Sequence, residues 1–405
     1  MTLAPLVPLP ERVGCLVLGG GIAGAATAYH LARRGERSVL LYEPKTPNAG
    51  ASGRAAGILT DQQWNEWDVE VARETVKEYE ELSHRHPHMG FARNGFLRWT
   101  THPLAAEAID VAYRRMRRWG VSVDRIGPAD LRAAFPWGRF DDVLAGLRGT
   151  ADAVVTPSAT TDAYLAEARD LGADVWFGDG PAQLRAEPSG FQLRARHRTI
   201  AARTTVVAAG AWSKALLRSI GQGLALTPYR VQAATLRPPD PPPERFPSGH
   251  DLDTDVYFRP EGPGRVLAGD GTERVEADPD RFVTTGDPGF VTHLAESVRR
   301  RLPGWEGSEL IRAWAGVCTA TPDRRPHVGA VDPSQGLYCI VGFNGYGVMR
   351  AGGAARRLVD LLVEGPGGRA SDRLVPVDPR RFPTSPPDFP PHPGFTLEGG
   401  DEPRF

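Results

Sequence analysis

The distribution of apolar and polar residues predicts a βαβ unit at the start of the chain. Residues 13–18 form a short apolar run that ends in glycines, as expected for a strand buried on both faces of a parallel sheet. Residues 22–34 are rich in alanine at helical spacing and end beside Gly35 and two arginines, which suit the carboxyl end of a helix. A second apolar strand follows at residues 38–42. This succession of strand, glycine turn, helix and strand is typical of a βαβ unit.

The rest of the pattern divides into two groups of elements. Helices and apolar strands that extend the first unit are predicted at residues 64–85, 159–171, 204–208, 337–341 and 348–362. Strands that favour a second, mixed sheet are predicted at residues 91–100 and 231–236, with a hairpin at residues 255–269. We therefore predict an α/β fold with an α+β two-domain organisation, in which a mixed-sheet substrate domain interrupts a Rossmann-like domain.

The predicted domain boundaries follow from this alternation. The Rossmann-like domain is expected at about residues 10–85, 150–220 and 310–370, and the substrate domain at about residues 86–149 and 221–309. Two proline-rich stretches, residues 238–247 and the tail 371–405, are expected to be loops or extended chain without a core of their own.

Composition and charge narrow the classes of function. The 405 residues carry a formal net charge of −1, with 41% hydrophobic and 24% charged residues, which is typical of a globular protein and gives no electrostatic basis for binding nucleic acid or a membrane surface. Three widely spaced cysteines are too few for a disulfide framework and favour a reducing compartment. Residues 1–12 lack the features of a signal peptide, and no run approaches the roughly 18 to 20 apolar residues of a membrane span. We expect a cytoplasmic protein.

The glycine turn after the first strand is the strongest motif. It has the GxGxxG pattern, in which Gly19 makes the tight turn, Gly21 lets the backbone approach a pyrophosphate, and Gly24 lets helix and strand pack closely. Ile22 and Ala23 begin a helix whose N-terminal N–H groups and positive dipole end suit phosphates. The turn therefore predicts dinucleotide binding, with a glycine-rich turn that binds no ligand as the alternative.

Glu43 stands at the end of the second strand, where a carboxylate accepts hydrogen bonds from ribose hydroxyls. It would also repel a 2′-phosphate. NAD and FAD share the portion that this unit binds, so the choice between them depends on other residues.

Further segments carry small residues and glycines in a recurring order: residues 48–58, 206–213, 312–329 and 342–349. Together with the glycine turn they resemble the D-amino-acid oxidase superfamily of flavoproteins, which includes glycine oxidase and sarcosine oxidase. The resemblance spans most of residues 13–365. It implies FAD as the cofactor and a Rossmann-like FAD-binding domain.

The resemblance also implies which residues contact FAD. Besides the glycine turn and Glu43, these are Ser52, Gly53, Arg54, Ala56, Gly57, Ile58, Ala182, Ala209, Gly210, Trp212, Gly316, Gly342, Asn344, Gly345, Tyr346, Gly347, Val348 and Met349. A helix that begins near Gly347 would aim its N–H groups at the edge of the flavin where negative charge accumulates on reduction. Sarcosine oxidase-like members tether the flavin to a cysteine, but that position is Gly316 here, so non-covalent FAD is expected.

The chemistry implied is hydride transfer from the carbon next to an amine nitrogen to flavin N5, which gives an imine that water hydrolyses. Tyr257 corresponds to a tyrosine that meets the substrate carboxylate, although a core tyrosine is the alternative. Cys318 stands where glycine oxidase-like members have a carboxylate-binding arginine. Either Arg259, Arg312 or Arg54 supplies that guanidinium, or the substrate lacks a carboxylate there. The candidate catalytic residues are Tyr257, Cys318, Asn344, Tyr346 and Arg259.

The expected substrate is an amino acid or a secondary or N-methyl amine, with oxygen or another electron acceptor as the partner. The lysine that assists reaction with oxygen in sarcosine oxidase-like members is replaced by Leu267 or Met349, which keeps a dehydrogenase open. Two further hypotheses stay open: an NAD-dependent dehydrogenase that uses only the Gly19 turn, and a non-catalytic flavoprotein subunit. The histidines of residues 84–88 flank a proline without cysteine or acidic partners, so no metal is expected.

Overall fold

A computed structural model of the chain describes residues 10–196, 198–365 and 367–382, without the side chains of residues 271–275. The helices, in chain order, are α1 Ile22–Arg33, α2 Glu66–Ser83, α3 Pro103–Arg118, α4 Pro128–Ala134, α5 Pro157–Asp170, α6 Ser213–Ser219, α7 Pro288–Arg301, α8 Gly347–Glu364 and α9 Arg369–Leu374. The strands are β1 Arg12–Leu18, β2 Val39–Glu43, β3 Ile58–Leu59, β4 Ala92–Arg93, β5 Phe96–Thr100, β6 Val123–Ile126, β7 Ala145–Gly149, β8 Ala153–Val154, β9 Asp174–Phe177, β10 Gln183–Glu187, β11 Gly190–Ala195, β12 Arg198–Val207, β13 Thr227–Arg237, β14 Ser248–Asp251, β15 Val256–Pro260, β16 Val266–Glu276, β17 Glu309–Ala320, β18 His327–Asp332 and β19 Leu337–Val341.

The first sheet is built on a parallel centre. β9, β2, β1, β12 and β19 pair in parallel in that order, and the antiparallel β10, β11 and β18 complete the sheet. The side chains of β1 and β2 are buried almost throughout, because α1, α5 and α8 share one core with the sheet. The predicted βαβ unit is therefore confirmed, with Leu18 of β1 in register with Tyr42 of β2.

The second sheet is mixed and has the strand order β17-β13-β16-β15-β14-β5-β7-β6. One of its faces packs on a core rich in aromatic side chains, among them Trp99, Phe135, Phe258 and Trp305. β5 and β14 pair in parallel, and the other neighbours pair antiparallel. The mixed sheet expected from the sequence is therefore present.

One strand of the second sheet comes from a segment expected in the Rossmann-like domain, at about residues 310–370. β17 pairs with β13 of the second sheet, from Thr227 opposite Ala320 to Arg237 opposite Glu309. β17 can pair along its whole length because β13 offers a long antiparallel edge. The remaining predicted boundaries stay a prediction.

The beginning of the proline-rich tail also differs from the expectation. Residues 371–382 do not lie free of a core, because Leu374 and Val377 are buried against the first domain. Arg381 donates hydrogen bonds to both carboxylate oxygens of Asp323, at 2.7 and 2.8 Å. The rest of the predicted tail, residues 383–405, lies outside the described residues.

Across the described ranges, none of the helices combines the length and the apolar character that crossing a membrane requires. The compartment expected from the sequence stays a prediction.

Candidate active site

A single cavity of about 1500 Å³ extends from the glycine turn to the open face of the second sheet. Its walls include the ends of β1, β2 and β19, the segment that follows β12, the loop before β3, and residues of β5 and β13 to β17. Ligand pockets in proteins measure roughly 300–1000 Å³. This cavity is therefore large enough for a dinucleotide together with a small substrate.

The glycine turn is shaped by contacts that leave no space for side chains. Gly19 has a φ of +122°, and a Cβ there would clash with the carbonyl of Ala208. A Cβ at Gly24 would clash with the carbonyl of Gly19, so α1 and β1 approach closely, as predicted. Gly21 precedes α1, and Gly19, Gly21, Ile22 and Ala23 all line the cavity. These features fit a turn that receives a pyrophosphate.

Glu43 lies at the rim of this turn. Its carboxylate accepts hydrogen bonds from the backbone N–H groups of Gly20 and Lys45, each at 2.9 Å. Lys45 Nζ lies 4.4 Å from the centroid of Trp212, whose indole N–H donates to Asp280 at 2.8 Å. Glu43, Lys45, Trp212 and Asp280 all line the cavity, so this end carries both charges.

The loop after β2 is fixed by backbone contacts. Ser52 Oγ accepts a hydrogen bond from the N–H of Ile22 at 2.9 Å, which joins the loop to the start of α1. Arg54 donates to the carbonyls of Ala49 and Gly50, and its own carbonyl accepts a hydrogen bond from the indole of Trp314 at 3.0 Å. The guanidinium of Arg54 therefore holds the loop in shape.

Gly57 also fixes this loop. It has a φ of +75°, and a Cβ there would clash with the carbonyl of Val155. Of the predicted residues of the loop, Ser52, Arg54, Ala56, Gly57 and Ile58 line the cavity, whereas Gly53 packs against Asn48.

The glycine-rich turn before α8 closes the cavity from the opposite side. Asn344 has a φ of +55°; its Oδ1 accepts from the N–H of Thr321 at 3.0 Å, and its Nδ2 donates to the carbonyl of Gly342 at 2.7 Å. Its amide therefore stabilises the turn, and its predicted catalytic role stays a prediction. α8 begins at Gly347, so the unpaired N–H groups of its first turn lie at the cavity wall.

The structure brings most of the remaining predicted residues to the cavity. The predicted residues that line it beyond the turn, Glu43 and the loop are Ala182, Ala209, Gly210, Trp212, Tyr257, Gly316, Cys318, Gly342, Asn344, Gly345, Tyr346, Gly347, Val348 and Met349. Burial raises the pKa of Tyr257 well above its ordinary value, so its phenol stays protonated.

Arg259 does not line the cavity. Its guanidinium donates to the carbonyls of Ala56 and Pro260. Arg312 is likewise engaged elsewhere, because it pairs with Glu261 at 3.1 Å. Neither arginine therefore occupies the position that Cys318 leaves without a guanidinium, and Arg54 is held by its own loop.

Arg98, which was not among the residues predicted from the sequence, lines the cavity instead. It lies on β5 and is in register with His250 of β14, which is in register with Tyr257 of β15. Residues in register on neighbouring strands share a face of the sheet, so these three side chains form a row on the cavity face. The signal in the sequence was a single charge within the apolar run of residues 96–99.

Within the described ranges, no group of three or more histidine, cysteine, aspartate or glutamate side chains is placed to hold a metal ion. His86, from the histidine-rich segment, lies 2.7 Å from Glu167.

The fold and cavity define a class: a two-domain protein in which a Rossmann-like dinucleotide site opens onto the face of a mixed sheet. The family model for FAD dependent oxidoreductases, abbreviated DAO, matches residues 15–361. The chain belongs to this family, whose members use FAD. The residues that line the glycine turn, the loop and the α8 turn fit that cofactor.

The chain is similar to human mitochondrial dimethylglycine dehydrogenase, with 27% identity over 389 residues that cover 92% of this chain and 44% of the relative. It is also similar to glycine oxidase of Geobacillus kaustophilus, with 24% identity over 87% of this chain and 94% of the relative. The solved L-proline dehydrogenase of P. horikoshii shares the fold at a TM-score of 0.85 and 22% identity, covering 92% of this chain and 98% of that one. The chain thus spans less than half the length of the dimethylglycine dehydrogenase.

Proposed function

We propose that this chain oxidises the C–N bond of an amino acid or of a secondary or N-methyl amine, with FAD as the electron acceptor. The observation that carries the proposal is the single cavity, because it joins the dinucleotide turn at Gly19 to the row of polar side chains formed by Arg98, His250 and Tyr257, called the polar row below. The names of the relatives support it, since dimethylglycine dehydrogenase and glycine oxidase act on amines of this kind.

The glycine turn, the loop around Ser52 and the start of α8 would hold the cofactor. Bound there, FAD would supply a two-electron acceptor for the hydride on the carbon next to the amine nitrogen, and the amine would become an imine that water hydrolyses. Non-covalent FAD is supported by Gly316, which occupies the position of the tethering cysteine in sarcosine oxidase-like proteins. Acid precipitation that leaves the flavin with the protein pellet would contradict it.

The residues of the chain bind and orient the amine. Oxidation requires a neutral amine, so a proton must leave the bound ammonium group. His250 Nε2 and Asp255 Oδ1 are 2.8 Å apart on the cavity wall, and this pair is our candidate for the group that takes the proton. Tyr257 donates a hydrogen bond to the substrate, because burial keeps its phenol protonated.

Anaerobic reduction of the purified protein tests the function. A panel of amino acids, N-methyl amino acids and cyclic amines is mixed with the flavoprotein without oxygen, and bleaching of the flavin is followed. At least one of these amines should bleach the flavin. Bound flavin that none of them bleaches would favour the non-catalytic subunit.

A dehydrogenase that passes electrons to another acceptor is the second candidate. Leu267 is buried outside the cavity, and Met349 Sδ lies 3.3 Å from Gln63 Nε2, so neither position offers a cation for reaction with oxygen. Admission of air to the reduced protein separates the two possibilities: fast reoxidation with hydrogen peroxide indicates an oxidase, and slow reoxidation indicates a dehydrogenase. The NAD-dependent alternative has no support, because the family match extends far beyond the Gly19 turn.

A further inference from the structure

We propose that Arg98 is the carboxylate-binding residue of the substrate site, so that the amine oxidised by this chain carries a carboxylate. The inference rests on the proposed function and specifies its substrate class. It places the guanidinium on β5, at the end of the row of Arg98, His250 and Tyr257 that is farthest from β17. β17 is the strand on which Cys318 replaces the expected arginine.

Arg98 is a buried cation that the protein leaves partly unsatisfied. It is 5% exposed and lines the cavity. Its guanidinium carbon lies 5.1 Å from the ring centroid of Trp64 and 4.9 Å from that of Phe96. Its Nε and Nη1 atoms are buried, and among the described residues neither has a hydrogen-bond partner. An unpaired buried charge is costly unless a ligand of opposite charge completes the site.

The geometry selects a carboxylate as that ligand. A guanidinium presents parallel N–H donors that match the two oxygens of a carboxylate, and stacking on aromatic rings keeps its plane fixed. Trp64 and Phe96 therefore orient Arg98 without using its donors. A neutral amide or ester would satisfy it less well, because it brings no negative charge.

The polar row sets the position of the carboxylate relative to the reacting centre. Neighbouring strands lie about 4.8 Å apart, so Arg98 and Tyr257, which are separated by the strand of His250, lie roughly 10 Å apart across the sheet. The ring of Tyr257 extends over Gly269, where a Cβ would clash with the phenol. The phenol oxygen thus lies on the side away from Arg98. An amino acid bound between them would have its carboxylate at Arg98 and its amine beside the His250–Asp255 pair.

A structural role for Arg98 makes the opposite stability prediction. If the cation and its aromatic neighbours served to hold β5 in place, its removal would destabilise the protein. If Arg98 instead binds a ligand, its charge is unpaired in the unliganded protein. Replacement by an apolar side chain of similar length removes that charge and should leave the unliganded protein at least as stable. Replacement of Arg98 by an apolar residue therefore weakens carboxylate binding without lowering the stability of the unliganded protein only if the proposal is correct.

The test compares the flavoprotein with three variants. Arg98→Met removes the guanidinium, and Arg98→Lys keeps a charge without the planar donors. Arg148→Gln is the matched control. Arg148 lies on the neighbouring strand β7 opposite Leu97, not opposite Arg98, and forms an exposed ion pair with Asp124. Calorimetry measures the affinity of each protein for propionate, which cannot be oxidised at a C–N bond, and for propionamide. Anaerobic flavin reduction by N,N-dimethylglycine and by its methyl ester is measured in parallel.

A hydrogen-bonded charge contributes about 1.5–3 kcal/mol, so Arg98→Met should weaken propionate binding by roughly 10- to 150-fold. Propionamide should bind each protein within about twofold of the wild type. Arg98→Lys should be intermediate, and Arg148→Gln should match the wild type. In reduction, Arg98→Met should raise the half-saturating concentration of N,N-dimethylglycine and leave that of its ester unchanged.

Two results would overturn the proposal: a wild-type protein that does not prefer propionate to propionamide, or an Arg98→Met protein that binds propionate as the wild type does. Failure of the function looks different. If no amine bleaches the flavin while propionate binding still depends on Arg98, the carboxylate site stands and the oxidation proposal fails.

Discussion

Asp152 gives the sharpest prediction for stability. Its carboxylate is 1% exposed, and it accepts hydrogen bonds from the N–H of Asp61 at 3.1 Å and from Gln62 Nε2 at 2.7 Å. Burial, reinforced by the charge of the neighbouring Asp61, raises the pKa of Asp152 from 3.8 to about 7. Arg73 lies 3.4 Å from Asp61 and offsets part of the repulsion.

The sign of the effect follows from proton binding. Between about pH 4 and pH 7 the folded protein keeps the proton of Asp152, whereas the unfolded chain has lost it. The stability that the protonated group provides is complete below pH 3.8, and it is lost as the pH rises through about 7. A rise of about 3 pKa units corresponds to roughly 4 kcal/mol. Asp152→Asn removes this titration, so the free energy of unfolding of the variant relative to the wild type should rise between about pH 4 and about pH 7 and then level off.

Urea unfolding of the flavoprotein at several pH values measures this difference. The free energy of unfolding of Asp152→Asn minus that of the wild type should rise from about pH 4 to about pH 7. Taking the difference between the two proteins removes the titrations that both share. Asp142→Asn is the control with the opposite sign, since hydrogen bonding from Arg301 lowers the pKa of Asp142. A difference for Asp152→Asn that does not depend on pH would refute the reasoning.

Three further predictions concern the cavity. Arg98→Met should raise the thermal unfolding temperature of the substrate-free flavoprotein, because a buried unpaired charge is removed; a clear decrease would indicate a structural cation instead. Gly19→Ala should lose flavin on gel filtration, and its free energy of unfolding should be lower than that of the wild type by about 1–3 kcal/mol. The reason is that the backbone at residue 19 has a φ of +122° and a Cβ there would clash with Ala208. Gly127→Ala, where a Cβ meets no atom within 4 Å, serves as its control and should keep its flavin. Cys318→Ser should release FAD on acid precipitation to the same extent as the wild type, and release only from the variant would show that the wild-type flavin is tethered to Cys318.

The local parts of the fold could be predicted from the sequence, because they depend on neighbouring residues. The turn at Gly19 and the burial of β1 follow from glycine geometry and from a run of apolar residues. The sheet that β17 joins does not follow from local pattern, because β17 finds its partner β13 more than 70 residues away.

Prediction of the site residues is limited in the same way, because contacts between distant segments do not follow from local pattern. Tyr257 and Arg259 lie two residues apart on β15, so alternation correctly places them on one face, yet only Tyr257 lies within the cavity. Arg259 lies beyond its edge, where the carbonyl of Ala56 accepts its hydrogen bond. Arg98 was missed because its place in the cavity depends on the strands that β5 joins in space. Which arginine reaches the cavity is thus decided by tertiary contacts.

Anaerobic titration of the purified chain tests the central claim most directly. We predict that the protein binds FAD, that denaturation releases it, and that an amino acid or N-methyl amine bleaches it without oxygen present. A colourless protein that releases no flavin, or a bound flavin that no amine in the panel reduces, would contradict the claim.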